Sequence, residues 1–166
     1  MILPAQPRDT AQRPRVLGWA GLIGVVAAAL ASTALADPCK AIPDHGPAPA
    51  WLAPGATFRG RVTYVGDGDS LCVAVGPRPS QWVEVRLQDF YAPELHEPGG
   101  EAAKRALSRI AFGRELVCRS GRQSYDRIIA ACTRNGAPLG DVLRASGAVE
   151  GGQGFRWPAR QDESRR

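Results

Sequence analysis

The chain has 166 residues, 44% hydrophobic and 22% charged, and 21 Lys and Arg against 16 Asp and Glu give a formal charge of +5. That length suits one domain, and the composition excludes a wholly disordered chain. With one long apolar stretch, no Gly-X-Y period, no heptad run and no repeat of about 20–50 residues, the sequence also excludes a multi-span membrane protein, collagen, a coiled coil and a solenoid.

The N-terminus reads as an export signal. Arg8, Arg13 and Arg15 face one acid, Asp9, before an uncharged stretch over 16–31 rich in Ala, Val, Leu and Gly. Ser32-Thr33-Ala34-Leu35-Ala36 then places small residues where a signal peptidase needs them, ahead of Asp37-Pro38. The sequence therefore predicts a signal peptide over 1–36, cleaved after Ala36, and a secreted or periplasmic protein. An uncleaved N-terminal anchor is the alternative. Cleavage removes three Arg and one Asp, leaving 130 residues with 18 basic and 15 acidic side chains, net +3. A mildly basic chain permits nucleic acid as a partner without requiring it. Of the 21 basic residues 19 are Arg. The guanidinium fork suits phosphate, though a compositional bias gives the same count.

Four cysteines follow the signal: Cys39, Cys72, Cys118 and Cys132. An even number after an export signal points to disulfides, and no Cys-x-x-Cys spacing supports zinc or a redox motif. Cys118 and Cys132 sit on two apolar segments joined by a short polar stretch, so they are the expected pair. Their bond would close a loop of about 15 residues, worth about 3 kcal/mol in the chain-entropy model. Cys39–Cys72 follows by elimination.

Residues 37–57 hold Pro38, Pro43, Pro47, Pro49 and Pro54 and read as an extended leader with little regular structure. From Phe58 the pattern alternates, with Phe58, Val62 and Tyr64 on one face and Arg59, Arg61 and Thr63 on the other. Gly66-Asp67-Gly68 turns the chain into a strand over 70–75. A third strand over 81–87 puts Val83, Val85 and Leu87 inward and Trp82, Glu84 and Arg86 outward. Residues 99–112 read as a helix, with Ala103, Leu107, Ile110 and Ala111 on one face and Glu101–Arg105 paired at i, i+4. Gly113 ends it. Strands over 115–119 and 128–133 follow, then an Asn135-Gly136 turn and a short helix over 139–146 closed by Gly147. The tail over 150–166 is Gly-rich and Arg-rich and is expected to be disordered. The order β-β-β-α-β-β-α predicts an α+β, mainly β fold. It is a five-stranded OB-type barrel with a helix between strands three and four and a short C-terminal helix.

Gly66-Asp67-Gly68-Asp69-Ser70 can offer hard oxygen ligands to a divalent cation, though an ordinary Asp-Gly hairpin turn has the same sequence. Arg86, then Pro93-Glu94, then Tyr125-Asp126-Arg127 supply one carboxylate and two guanidinium groups. Phosphodiester hydrolysis needs those types: a base to activate water and cations to neutralise the phosphorane-like transition state. His45 and His96 fit no zinc or triad spacing and are expected to be exposed. Ser70 and Ser146 lack a nearby base in sequence, against a serine hydrolase.

Together these pieces resemble the thermonuclease (staphylococcal nuclease-like) family over residues 58–149. The resemblance rests on Asp67-Gly68-Asp69-Ser70, Val85-Arg86-Leu87, Ala92-Pro93-Glu94, Tyr125-Asp126-Arg127 and Leu139-Gly140-Asp141-Val142-Leu143-Arg144-Ala145-Ser146-Gly147-Ala148. It implies an OB barrel, Glu94 as the general base, Arg86 and Arg127 as the phosphate-binding pair, and Asp69 as a calcium ligand beside Ser70, where the family usually has Thr. It further implies DNA or RNA as substrate and 3′-phosphorylated products. A monomer is expected. Two positions depart from the pattern. Tyr91 stands where a second calcium-binding Asp is usual, and a neutral phenol is a poor hard-cation ligand. Asp126 replaces a Gly and puts a negative charge beside Arg127. Asp89 shares Tyr91's side of an extended segment but is not expected to replace the lost ligand. The long C-terminal helix of the family is missing after Val149. The sequence therefore predicts an exported nuclease. The alternative is a weakened or inactive nuclease-like domain that binds nucleic acid or a protein partner, and a purely structural envelope domain ranks third.

Overall fold

Alternating apolar side chains give a sheet one face to cover, and this chain covers it by closing the sheet on itself. The computed structural model describes residues 37–152. The expected signal peptide over 1–36 and the tail beyond 152 lie outside the described residues.

Five strands form the barrel: β1 (Thr57–Val65), β2 (Ser70–Ala74), β3 (Trp82–Leu87), β4 (Glu115–Ser124) and β5 (Arg127–Arg134). Their order is β3-β2-β1-β4-β5, all antiparallel, and a parallel β3–β5 pairing through Val85–Ile128 and Leu87–Ala130 closes the ring. This is a mixed OB-like barrel with helices. Helix α1 (Gly100–Ala111) lies between β3 and β4, and α2 (Leu139–Ala145) follows β5. A two-residue strand β6 (Ala137–Pro138), not foreseen in the sequence, pairs with the end of β5.

In β3 the burial alternates as expected, with Val83, Val85 and Leu87 inward. In β1 it does not. A bulge between Val62 and Tyr64 slips the register against β2, so Val65 faces the core and Tyr64 is only half-buried. One extra residue flips every side chain after it, which period-two reasoning cannot anticipate. Strand β4 is also twice as long as the apolar run suggested. Its second half is polar and bulged, the register against β5 shifting between Ser120 and Gln123: Ser120 is buried, and Gln123 accepts from Ala48 N–H (2.7 Å) and donates to Gly46 O (2.9 Å).

Helix α1 turns Ala103, Ala106, Leu107 and Ala111 to the core, with Ile110 half-buried beside them. Three alanines on this face let the helix lie close to the barrel. Each fully buried Leu or Val is worth about 1.5–3 kcal/mol over its exposed state. The leader adds to the same core through Ile42 and Leu52, and Ala41 N–H donates to Trp82 O (3.0 Å). Disulfides join Cys39 to Cys72 and Cys118 to Cys132. The second lies directly across the β4–β5 ladder. Among the described residues no helix is long and apolar enough to cross a membrane.

Candidate active site

The turn entering β2 is built from its own side chains. Asp67 Oδ1 accepts the backbone N–H of Asp69 (2.9 Å) and of Ser70 (2.7 Å). Between them Gly68 is pressed against Ala92 and Ala103, where a Cβ would collide with both. The turn therefore requires glycine, and it delivers Asp69 to the start of β2.

Asp69 is only 2% exposed. Its Oδ2 accepts Ala92 N–H (3.0 Å) and pairs with Arg86 Nη2 (3.2 Å), and its Oδ1 lies 3.5 Å from Ser70 Oγ. Burial pushes its carboxyl up to about 6, against the Ala92 N–H, and with a further upward push from Asp67. Arg86 opposes that rise. Arg86 stands opposite Ser70 in the β2–β3 ladder, and its guanidinium stacks 5.1 Å from the Tyr91 ring centre. Arg127, at the start of β5, points Nη1 to 3.5 Å from Ser70 Oγ. Two strands thus bring Arg86 and Arg127 to the same two residues, Asp69 and Ser70.

Glu94 comes from the loop after β3. That loop is tied to Asp69 through Ala92, two residues before Glu94. Glu94 is half-buried, and its N–H donates to Glu97 Oε2 (2.9 Å). Its carboxylate makes no hydrogen bond or ion pair with either guanidinium. His45 and His96 are both exposed.

Three features escaped sequence reasoning. The first is Arg144 on α2, which donates to Asp89 O (2.5 Å), grips Glu150 with two bonds (2.6 and 2.8 Å) and stacks 5.7 Å from the Phe90 ring centre. It pins the segment that leads to Glu94. The second is Asp89, whose Oδ2 accepts Gly140 N–H (3.1 Å) at the start of α2. A Cβ on Gly140 would lie 2.5 Å from Asp89 O, so the close approach needs glycine. One oxygen of Asp89 is thus turned to α2, and Asp89 does not cluster with Asp67 and Asp69. The third is Glu84, on the outer face of β3 two residues before Arg86. Burial, a hydrogen bond with Asp37, and the charges of Asp37 and Asp126 push its carboxyl up to about 8, with Arg127 opposing. Its place beside Arg86 on the outward face was visible in the alternation, but its acidic neighbours come from distant segments.

Calcium favours six to eight oxygen ligands, several of them anionic. Asp67 and Asp69 offer two carboxylates, but Asp69 is already held by Arg86 and a backbone N–H, and Tyr91 fills the place of a third. Among the described residues no third acid joins these two. Asp37, Cys39 and Cys72 do cluster, but both sulfurs are spent in a disulfide. The residues present do not complete a calcium cage.

The chain is 38% identical over 68 residues to a micrococcal nuclease of Shigella flexneri, covering 41% of this chain and 35% of that protein. Over that stretch it is similar to a nuclease. It is also 41% identical over 69 residues to protein ParB of Escherichia coli, covering 42% of this chain and 35% of ParB. An uncharacterized endonuclease of Haemophilus influenzae matches at 32% over 72 residues, 42% of this chain and 39% of that protein. The chain thus spans little more than a third of the length of these relatives. No family model matches it. The likeness to nucleases over this stretch, and the OB-like barrel, agree with the resemblance seen in the sequence.

Proposed function

We propose that this chain is an exported nuclease that hydrolyses phosphodiester bonds of DNA or RNA. The observation that carries the proposal is the convergence of Arg86 and Arg127 on Asp69 and Ser70, in a chain partly similar in sequence to a nuclease. Two guanidinium forks at one spot suit a phosphate better than any other common group. Glu94, in the loop tied to the same carboxylate, is the general base. It takes a proton from water as the water oxygen bonds to phosphorus. The P–O5′ bond then breaks, the 5′ oxygen takes up a proton from solvent water, and the phosphate stays on the 3′ side. Arg86 and Arg127 neutralise the charge that grows on the non-bridging oxygens. Asp69 holds Arg86 in place. It is also the residue that would ligate calcium, but with Tyr91 nearby the cage is incomplete, and no step above depends on the ion. Two disulfides fit an oxidising compartment outside the cytoplasm, and a monomer suffices for this chemistry.

A second proposal, a weakened nuclease-like domain that binds nucleic acid or a protein, draws on Tyr91 and Asp126. Single-turnover cleavage of an end-labelled strand by the parent and by Glu94→Ala separates the two. A general base contributes about 10²–10⁴-fold. The nuclease proposal predicts a loss of that order and 3′-phosphate ends. Equal rates for parent and variant would overturn it, and no cleavage by the parent would favour the binding module.

A further inference from the structure

The described residues hold 14 Lys and Arg against 13 Asp and Glu, a formal charge of only +1 over 37–152. That charge is unevenly spread. On β1, Arg59 and Arg61 alternate on the exposed face. The β1–β4 register sets Arg59 beside Val117 and Thr57 beside Arg119, so Arg119 lies diagonally across from Arg59. Such diagonal neighbours are about 7–8 Å apart. At the edge of this face a pocket of about 360 Å³ is lined by Arg114, Glu115, Arg134 and Asn135. Five arginines meet one acid here, a formal +4, so the rest of the described chain sums to −3.

The cations are available to a ligand. Arg59, Arg61, Arg114 and Arg119 are exposed. Arg61 spends Nη1 on Gly113 O (3.3 Å), and Arg134 spends Nη1 on Ile110 O (2.7 Å). A guanidinium carries five donors, so both keep most of theirs. Glu115 pairs with Arg59 at 3.5 Å, but both are more than half exposed, and such pairs are weak and exchangeable.

The reactive end has the opposite character. Asp69 pairs with Arg86, Asp67 lies beside Asp69, and Glu84 and Asp126 lie near Arg127. A polyanion gains little long-range attraction there, so a chain acting on one needs attraction from elsewhere. The register fixes the separation. Arg59 sits beside Val117, and Val117 beside Thr133, six residues along β5 from Arg127. At about 3.3 Å per residue that is roughly 20 Å. A duplex advances 3.4 Å per nucleotide, so the gap is about six nucleotide steps.

We infer that the outer face of β1 and β4, with Arg59, Arg61 and Arg119 and the Arg114–Arg134 pocket, is a second, non-catalytic contact for the phosphate backbone of a long nucleic acid. The inference rests on the nucleic-acid reading of the reactive end but not on its chemistry. Its occupant is a phosphodiester backbone because the arginine forks repeat along a strand and carry an excess of four positive charges, which complements a repeating anion.

The test is fluorescence anisotropy of labelled 30-nucleotide and 2-nucleotide single strands, from about 50 to 300 mM salt. Full-chain Glu94→Gln protein is compared with the same protein also carrying Arg59→Gln, Arg61→Gln and Arg119→Gln. Affinity for the 30-mer is expected to fall at least tenfold, and the slope of log K against log salt to shrink by about 2, at roughly 0.7 for each phosphate no longer neutralised. The 2-mer, too short to span both sites even when extended, should lose less than twofold. Glu115→Gln, which removes the one acid, should tighten 30-mer binding and serves if the triple variant folds poorly. Unchanged 30-mer affinity and slope, an equal loss for both lengths, or binding to anionic vesicles without binding to DNA would overturn the inference. Arginine-dependent binding by a parent that cleaves nothing would uphold this face and refute the nuclease proposal.

Discussion

Tyr91 decides how this site differs from the pattern it resembles. Its ring lies under Arg86, so the position that would supply an anion supports a cation instead. Tyr91→Asp should restore a third carboxylate near Asp67 and Asp69. Titration calorimetry is expected to show calcium affinity at least tenfold tighter in Tyr91→Asp than in the parent, and equal affinities would contradict the donor-set argument. Glu84 makes the second residue-scale prediction. Its folded carboxyl, at about 8, lies above the ordinary 4.5, so the folded state holds the proton more tightly than the unfolded one. Its contribution to stability is full below pH 4.5 and is lost as the pH rises through 8. The melting temperature of the parent should therefore drop more between pH 5 and 9 than that of Glu84→Gln. Parallel pH profiles would refute this. The resemblance in sequence singled out Arg86, Arg127 and Asp69, which the fold sets beside one another and Ser70, and their catalytic roles belong to the proposal above. The Glu84–Asp37 contact was not legible in the sequence, because it joins β3 to the leader.

At the scale of elements, the loop between β3 and α1 matters most. It is fastened at Ala92 by Asp69, at Asp89 by the first turn of α2, and around Phe90 by Arg144. Arg144 touches neither guanidinium of the site, so it acts by positioning. Arg144→Ala should lower the cleavage rate about tenfold with KM little changed, and Arg144→Lys should recover only part of it, since an ammonium lacks the fork that grips Glu150. A melting-temperature drop without a change in rate would reduce Arg144 to a purely structural brace. The strands and helices were readable from apolar periodicity, and both disulfides from cysteine placement. The β1 bulge and the polar half of β4 were hidden, because side-chain pairing across the barrel rather than local hydropathy extends those strands. The leader looked detached for the same reason: its prolines mark irregular backbone, while the burial of Ile42 and Leu52 depends on what they meet.

Over the whole molecule, barrel closure is what turns scattered residues into a site. The parallel β3–β5 pairing brings Arg86 and Arg127 to one end, and the turn into β2 supplies the carboxylate and hydroxyl between them. If Glu94 and Arg127 serve the same transition state, their losses cannot multiply. Single-turnover cleavage by Glu94→Gln, Arg127→Met and the double variant measures this most directly. Each single variant should lose at least about 100-fold, with the double little worse than the poorer single, as for groups that act as a unit. Single variants within twofold of the parent, or losses that multiply in full, would contradict a shared role on one phosphate.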